Sequence, residues 1–231
     1  MSMLAIITAR GGSKRIPKKN IKAFAGKPII HYAIEAALNS GIFDEVMVST
    51  DSEEIAQIAR QAGANIPFMR SEKTANDFAT TRDVLLEVLE RYAEQGKHFE
   101  QICCIYPTNP FITGEKLRQA GEAFAASGAD GMTPVVPFSF PPQRGFYICD
   151  NKLQWVQPEC ASARSQDLPK IYHDVGQFYF YNVEAYCRPD FGTNSNVMPF
   201  VISEKEAQDI DTQEDWEMAE IKFELMKRAE K

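Results

Sequence analysis

The sequence lacks the features that mark several common classes of protein. No apolar run approaches the roughly 20 residues of a membrane-spanning helix, and the run from Leu4 to Ile7 is too short for a signal peptide. The five cysteines are odd in number and include no Cys-x-x-Cys pair, so we expect reduced thiols in the cytoplasm rather than a disulfide framework or a zinc site. The net charge of −7 argues against a general nucleic-acid binder.

Two familiar phosphate-binding motifs are also missing. The turn Gly11-Gly12-Ser13-Lys14 lacks the Gly-Lys-Ser/Thr ending of a P-loop, and no Gly-x-Gly-x-x-Gly occurs in the 231 residues. P-loop nucleoside triphosphatases and dinucleotide-binding Rossmann domains are therefore not expected.

Basic charge is nevertheless concentrated near the start of the chain. No acidic residue occurs before Glu35, although several lysines and arginines do. An apolar run that ends at Thr8 leads into the turn at Gly11 and Gly12, where backbone amides and nearby cations suit a polyphosphate. We interpret residues 10–22 as a nucleoside triphosphate site at the carboxyl end of the first strand; a solvated basic loop is the alternative.

Apolar patterns of period two and of helical period alternate along the chain, which is typical of β-α-β units. Strands are predicted over residues 4–8, 45–50, 65–69, 101–106, 131–136, 177–181 and 198–202. Helices are predicted over residues 28–38, from a cap at 51–52 to 61, and over 81–92, 115–126 and 213–227. We therefore expect one α/β domain over residues 1–231, with a mainly parallel sheet flanked by helices. Residues 137–170 are rich in proline and aromatic residues and form an excursion with a hairpin near Asp150-Asn151.

Two carboxylates near the end of the chain form a candidate metal site. Asp209 and Asp211 would point to the same side of an extended segment, with Ile210 turned inward. Two hard oxygen ligands on one face suit Mg²⁺, which usually completes its octahedron with phosphate and water. Helix capping is the alternative: Thr212 and Asp215 resemble a capping box at the start of the last helix, and Asp209 or Asp211 could simply favour its N-terminus.

A third constellation joins Arg70 to a hydroxyl-rich stretch. Arg70 is predicted to end the strand over 65–69, and Ala79, Thr80 and Thr81 open the next helix. These side chains could contact a nucleotide, or Thr80 or Thr81 could simply be the N-cap.

These motifs together resemble the acylneuraminate cytidylyltransferase family, whose members make CMP-activated nonulosonic acids from CTP. The resemblance extends over almost the whole chain, and its motifs occur in the family's order. They are Ala9-Arg10-Gly11-Gly12-Ser13-Lys14, then Pro17, Lys19 and Asn20, then Val48-Ser49-Thr50-Asp51, Pro107-Thr108, Asp167-Leu168-Pro169 and Asp209-Ile210-Asp211. The resemblance implies a Rossmann-like nucleotidyltransferase fold and a homodimer, with the excursion used for dimerisation and sugar binding.

The same resemblance implies a role for each matched residue. The implied CTP-binding set is Ala9, Arg10, Gly11, Ser13, Lys14, Lys19, Asn20, Arg70, Ala79 and Thr81. The implied catalytic residues are Arg10, Lys19 and Asp211, and the implied Mg²⁺ ligands are Asp209 and Asp211. The implied reaction joins CMP from CTP to a nonulosonic acid and releases pyrophosphate.

Departures from the family pattern bear on the sugar. Tyr106, Ser165 and Val175 stand where polar donors are usual, which favours a less hydroxylated sugar such as pseudaminic acid. The expected sugar-binding residues are Tyr106, Arg144, Arg164, His173, Gln177 and Tyr179, with Arg144 on the sugar carboxylate. Sialic, legionaminic or 3-deoxy-octulosonic acid as the substrate is one alternative, and a non-catalytic CTP-binding protein is another.

Overall fold

The computed structural model describes residues 2–229, and in that part of the chain a seven-stranded sheet forms the centre of the fold. The strand bounds are β1 Met3–Thr8, β2 Ala23–Phe24, β3 Lys27–Pro28, β4 Glu45–Ser49, β5 Gln101–Ile105, β6 Gly131–Pro137, β7 Phe146–Cys149, β8 Lys152–Trp155, β9 Tyr172–Asp174, β10 Phe178–Asn182 and β11 Val197–Val201. The strands of the central sheet run in the order β11-β6-β10-β5-β1-β4, with β9 paired to β6.

Helices alternate with these strands in the first half of the chain, as expected. Their bounds are α1 Ile30–Ser40, α2 Glu53–Gln61, α3 Glu72–Ala75, α4 Thr81–Glu94, α5 Gly114–Ser127, α6 Val183–Tyr186 and α7 Gln213–Ala229. Strand β1 is parallel to β4 and β5, and β11 is parallel to β6, whereas β10 and β9 run against their neighbours. The prediction of a mainly parallel sheet flanked by helices is confirmed. Between Ser2 and Ala229, no helix has both the length and the apolar character needed to cross a bilayer.

The two faces of the sheet bury different helices because side chains alternate along β1. Ala5 and Ile7 face a cluster formed with α1, α2 and α5, while Leu4 and Ile6 face α4 on the opposite side. A third cluster packs α7 through Trp216 and Phe223 against the loops that follow β1. Helices on both faces of the sheet thereby hold β1 and its carboxyl end in place.

One predicted strand is wrong. Residues 65–69 do not form a strand; Asn65 makes an isolated bridge to Met47, and the chain then leaves the sheet. Pro67 has no amide hydrogen to donate to a neighbouring strand, which accounts for the early end of the pairing. Arg70 consequently follows an irregular segment, although its amide still donates to Thr50 O at 2.8 Å.

The excursion contains the predicted hairpin. Strands β7 and β8 pair antiparallel, and Asp150 and Asn151 join them with φ of 49° and 59°, values typical of a two-residue hairpin turn. Ile148 and Leu153 face each other across the pair, and 76% and 65% of their side-chain surfaces are exposed. The hairpin thus presents apolar surface away from the main sheet.

Candidate active site

A cleft of about 590 Å³ opens at the carboxyl ends of the central strands. Four segments line it: the basic turn, defined as residues 10–22, the stretch from Arg70 to Val84, the residues Tyr106 to Thr108 after β5, and the acid pair Asp209 and Asp211. The sheet edge predicted from the end of β1 is therefore the edge at which the motifs meet.

The basic turn is shaped by polar contacts with the rest of the fold. Asn20 Nδ2 donates to Arg10 O at 2.8 Å, and Gly11 N donates to Asp51 Oδ1 at 2.8 Å. A Cβ on Gly11 would lie 3.2 Å from Ser52 Cβ, so the turn passes close to the end of β4. These contacts favour a formed binding turn over a solvated loop.

Lys19 and Arg15 connect the basic turn to the acid pair. Lys19 Nζ donates to Ile210 O at 2.6 Å and lies 3.3 Å from Asp211 Oδ1. Arg15 Nη2 lies 2.7 Å from the same carboxylate oxygen. The two ion pairs join residues 192 and 196 positions apart in sequence. Arg15 is a cleft residue to which the motifs assign no role.

The acid pair faces the cleft as the spacing predicts. Ile210 is buried against α7, while both carboxylates line the cavity. Partial desolvation in the cleft, followed by repulsion from Asp211, raises the pKa of Asp209 above its ordinary value. Thr212 and Asp215 exchange hydrogen bonds at the start of α7, so neither member of the acid pair caps that helix.

Arg70 and Thr81 lie on another wall of the cleft. Arg70 is nearly buried; its Nε donates to Ser49 Oγ at 3.1 Å and its Nη2 to Ser49 O at 2.6 Å. Thr80 is the N-cap of α4 and forms a capping box with Asp83, which confirms the capping alternative for that residue. Thr81 is left to face the cleft, with its Oγ1 3.2 Å from Tyr106 Oη.

A second cavity of about 350 Å³ adjoins the cleft. The two share Thr80, Thr81 and Tyr106 as lining residues. Tyr179 lies in the wall of this side pocket, 5.4 Å from Tyr106 between ring centroids, and donates its hydroxyl to both carboxylate oxygens of Asp174 at 2.7 and 2.9 Å. The remaining lining residues are Arg82, Tyr181, Tyr186 and Phe191.

A family model described as cytidylyltransferase matches residues 4–224 of the chain. The chain belongs to the cytidylyltransferase family. This confirms the resemblance inferred from the motifs and identifies the chain as a nucleotidyltransferase.

The chain is also similar in sequence to individual cytidylyltransferases. It is 42% identical to a pseudaminic acid cytidylyltransferase of Campylobacter jejuni, over 97% of each chain. It is 35% identical to a CMP-N,N'-diacetyllegionaminic acid synthase of Legionella pneumophila, over 99% of each. Among solved structures, a CMP:2-keto-3-deoxy-manno-octonic acid synthetase complexed with CTP matches with a TM-score of 0.72 at 18% identity, over 98% of this chain and 100% of that one, which supports the fold.

The cytidylyltransferase cleft collects most of the residues expected to bind CTP or metal. Those that line it are Arg10, Ser13, Lys14, Lys19, Asn20, Arg70, Ala79, Thr81, Asp209 and Asp211, together with Tyr106 from the sugar set. Ala9 and Gly11 are not among the lining residues; Ala9 is buried and its amide donates to Ser49 O at 3.0 Å.

The expected sugar-binding residues are divided by the structure. Tyr106 and Tyr179 line the side pocket, but Gln177 is fully buried and its Nε2 donates to Glu206 O at 2.5 Å. The amide nitrogen of Gln177 therefore supports the segment that precedes the acid pair, and its expected contact with a sugar stays a prediction. The sequence alone does not distinguish a glutamine buried at the start of a strand from a glutamine that contacts a ligand.

Three further members of the sugar set lie away from both cavities. Arg144 Nη1 donates to Ser165 Oγ at 3.1 Å, Arg164 Nε donates to Asp167 Oδ2 at 2.6 Å, and His173 packs on Phe138 with centroids 4.6 Å apart. None of the three lines the cleft or the side pocket within the described residues. The expected contacts of these three residues with the sugar stay predictions.

Proposed function

We propose that the chain transfers CMP from CTP to pseudaminic acid and releases pyrophosphate. The observation that carries the proposal is the 42% identity to the Campylobacter jejuni pseudaminic acid cytidylyltransferase over 97% of each chain. A cleft lined by both cations and carboxylates supports it, because the reaction needs both charges.

The basic turn and Arg70 would bind the two ends of CTP. Arg10, Lys14 and Lys19 line the cleft as donors for phosphate oxygens, and Lys19 lies nearest the acid pair. Arg70 and Thr81 lie on the opposite wall and would contact the nucleoside. Burial lowers the pKa of Arg70, yet a guanidinium keeps its charge at neutral pH, so it remains a donor.

The acid pair fits a magnesium ion. Asp209 and Asp211 offer hard carboxylate oxygens on one face, and the raised pKa of Asp209 reflects partial desolvation and repulsion that a divalent cation would relieve. No group of three or more His, Cys, Asp or Glu side chains suited to a metal occurs in residues 2–229, so phosphate and water would complete the coordination. A bound Mg²⁺ supplies Lewis-acid polarisation of a phosphoryl oxygen.

The residues of the cleft then favour in-line transfer by position and charge. The anomeric hydroxyl of the sugar attacks the α-phosphorus of CTP and loses its proton to water, while the P–O bond to the β-phosphate breaks and pyrophosphate leaves. Arg10, Lys14 and Lys19 would neutralise the charge that develops on the leaving group. Covalent attack by a side chain is not required, because orientation of the two substrates supplies much of the rate.

The side pocket is the proposed site of the sugar. It opens from the cleft beside Tyr106, and its tyrosine walls suit the deoxy and acylamido groups of pseudaminic acid better than a hydroxyl-rich chain. Burial raises the pKa of Tyr106, so its hydroxyl stays protonated as a neutral donor at physiological pH. Sialic and legionaminic acids remain the alternative substrates.

We also propose that the excursion, residues 137–170, joins two copies of the chain. Its hairpin exposes Ile148 and Leu153, and Arg144 and Arg164 in the same excursion lie away from their own cleft. A partner's excursion would bring such residues to the sugar.

The five cysteines are free thiols, which supports a cytoplasmic enzyme.

Pyrophosphate release tests the reaction and the sugar together. We expect release when the protein is mixed with CTP, Mg²⁺ and pseudaminic acid, and little release with N-acetylneuraminic acid. Release with N-acetylneuraminic acid alone would keep the chemistry and overturn the sugar assignment. No release with pseudaminic, N-acetylneuraminic or legionaminic acid, despite CTP binding, would favour the non-catalytic alternative.

A further inference from the structure

An acidic side chain lies among the cations of the basic turn. Asp77 Oδ1 accepts a hydrogen bond from Arg10 Nη1 at 2.7 Å, and Asp77 Oδ2 accepts one from Lys14 Nζ at 2.5 Å. These two hydrogen bonds lower the pKa of Asp77, and the bond from Lys14 has the larger effect. The carboxylate is therefore ionised at neutral pH. Each oxygen of the carboxylate thus takes a cationic donor that the triphosphate is proposed to use.

Asp77 belongs to a short segment that crosses from α3 to the start of α4. Asn76 Oδ1 accepts hydrogen bonds from the amides of Phe78 and Ala79 at 2.8 and 3.0 Å, which closes a local turn. The Phe78 side chain beside Asp77 is 94% exposed, so the tip of the segment is not packed into the core. The ion pairs with Arg10 and Lys14 tie this tip to the basic turn.

The carboxylate and a polyphosphate compete for the same donors. Two anions that share the same cationic donors lie close together and repel each other. A lysine or arginine that gives its hydrogen bonds to one anion also gives fewer to the other. The ion pairs of Asp77 are partly exposed, with 45% of the Asp77 side-chain surface accessible, and exposed pairs of this kind contribute little to stability. A ligand with several negative charges can therefore displace the carboxylate.

We propose that Asp77 is a displaceable counter-anion that sets the affinity of the basic turn for polyphosphates. Binding of CTP separates Asp77 from Arg10 and Lys14, and the return of Asp77 after the reaction favours loss of pyrophosphate. The inference rests on the proposed function in one respect: it takes Arg10 and Lys14 as phosphate donors.

Calorimetric titration tests the role of Asp77, with inorganic pyrophosphate, CTP and cytidine as ligands in one Mg²⁺-containing buffer. We expect Asp77→Asn to bind pyrophosphate and CTP about fivefold more tightly than the unchanged protein, since one nearby negative charge is removed. Cytidine has no phosphate, so its affinity should stay the same. Asp77→Ala should change the affinities in the same direction, which separates loss of charge from the effect of the new amide.

Glu54→Gln is the matched control. Glu54 makes an exposed ion pair with Lys18 of the same basic turn at 2.7 Å, but Lys18 is not among the residues that line the cleft. This variant also removes one negative charge and should alter pyrophosphate affinity by less than twofold. Equal tightening in Glu54→Gln would show an effect of net charge alone and would overturn the inference.

Weaker pyrophosphate binding in both Asp77 variants would also overturn it, because Asp77 would then hold Arg10 and Lys14 in place for the ligand. Unchanged pyrophosphate binding in both Asp77 variants would likewise overturn the inference. Failure of the unchanged protein to bind CTP would instead overturn the proposed function, and the pyrophosphate titration would still decide the role of Asp77.

Discussion

Asp211 and Asp215 lie four positions apart and have different partners. Asp211 accepts contacts from Arg15 and Lys19 across the cleft, whereas Asp215 accepts hydrogen bonds from the amide and hydroxyl of Thr212 at 2.8 Å each. The first arrangement suits catalysis and the second suits helix capping. A pair of isosteric substitutions separates these two uses of a carboxylate.

We predict that Asp211→Asn lowers kcat about 100-fold or more and leaves the fold intact, because a neutral amide is a poor ligand for Mg²⁺ and balances no charge on Arg15 or Lys19. Steady-state kinetics with a Mg²⁺ titration and thermal denaturation measure the two effects. Near-normal turnover with an unchanged Mg²⁺ requirement would remove the metal role of Asp211.

Asp215→Asn is the control for that experiment. The neutral amide oxygen of asparagine accepts the same hydrogen bonds more weakly, which should destabilise the protein by about 1 kcal/mol. Turnover should remain close to normal at temperatures where the variant is folded. A large fall in kcat with an unchanged Tm would mean that Asp215 also acts in the cleft.

At the scale of elements, α5 begins against the end of α1. A Cβ on Gly114 would lie 2.8 Å from Asn39 C and 2.9 Å from Ser40 N, closer than unbonded atoms can pack. Gly121 differs, because its Cβ would meet the flexible end of Ile42 at 2.6 Å. The close helix approach thus depends on Gly114 more than on Gly121.

We predict that Gly114→Ala lowers the free energy of unfolding by about 1–3 kcal/mol, since two backbones must move apart. Gly121→Ala should have a smaller effect, because Ile42 can change rotamer and alanine has about 1 kcal/mol better helix propensity than glycine. Urea denaturation of both variants measures the difference. Equal effects would show that the contact with Asn39 relaxes easily.

The hairpin of β7 and β8 is the element proposed to join two copies. We predict that Ile148→Asp converts the proposed dimer to a monomer, because it places a charge on an exposed apolar surface that association would bury. Light scattering after size-exclusion chromatography gives the molar mass. Ile221→Asp, at a 57% exposed apolar residue of α7, should leave the dimer intact. A monomer from Ile221→Asp alone would place the interface on α7.

At the scale of the whole molecule, the chain carries a net charge of −7, whereas the basic turn proposed to bind the phosphates lines the cleft with cations. Long-range repulsion of CTP by the acidic surface and short-range attraction by the basic turn therefore oppose each other. Salt screens interactions over about 10 Å at 0.1 M, and it also weakens contacts between partly exposed charges. We expect the attraction at the turn to dominate, because the proposed contacts with phosphate are closer than the acidic surface.

We predict that the Kd for CTP rises roughly fivefold between 50 and 300 mM KCl, because screening weakens the net attraction at the basic turn. Cytidine affinity should not change over the same range, and it serves as the control. Titration calorimetry at four salt concentrations measures both ligands. Tighter CTP binding at high salt would mean that repulsion by the acidic surface dominates.

Local patterns in the sequence determined most of the elements and the ends of the cleft. The apolar strand before Thr8, the cap at Ser52 and the hairpin turn at Asp150 depend on neighbours in sequence, so their residue types are sufficient to predict them. Asp209 and Asp211 share a face for the same reason, since alternation along an extended segment is local.

Tertiary structure alone decided the partners of charged and buried side chains. Asp77 meets Lys14 across 63 residues and Arg15 meets Asp211 across 196, and no local pattern specifies such pairs. Gln177 is buried under Glu206 because strand β10 enters the sheet there, although its type suits a ligand contact equally well. Charge pairing and burial depend on distances that arise when the sheet and its helices pack, so they appear only in the folded chain.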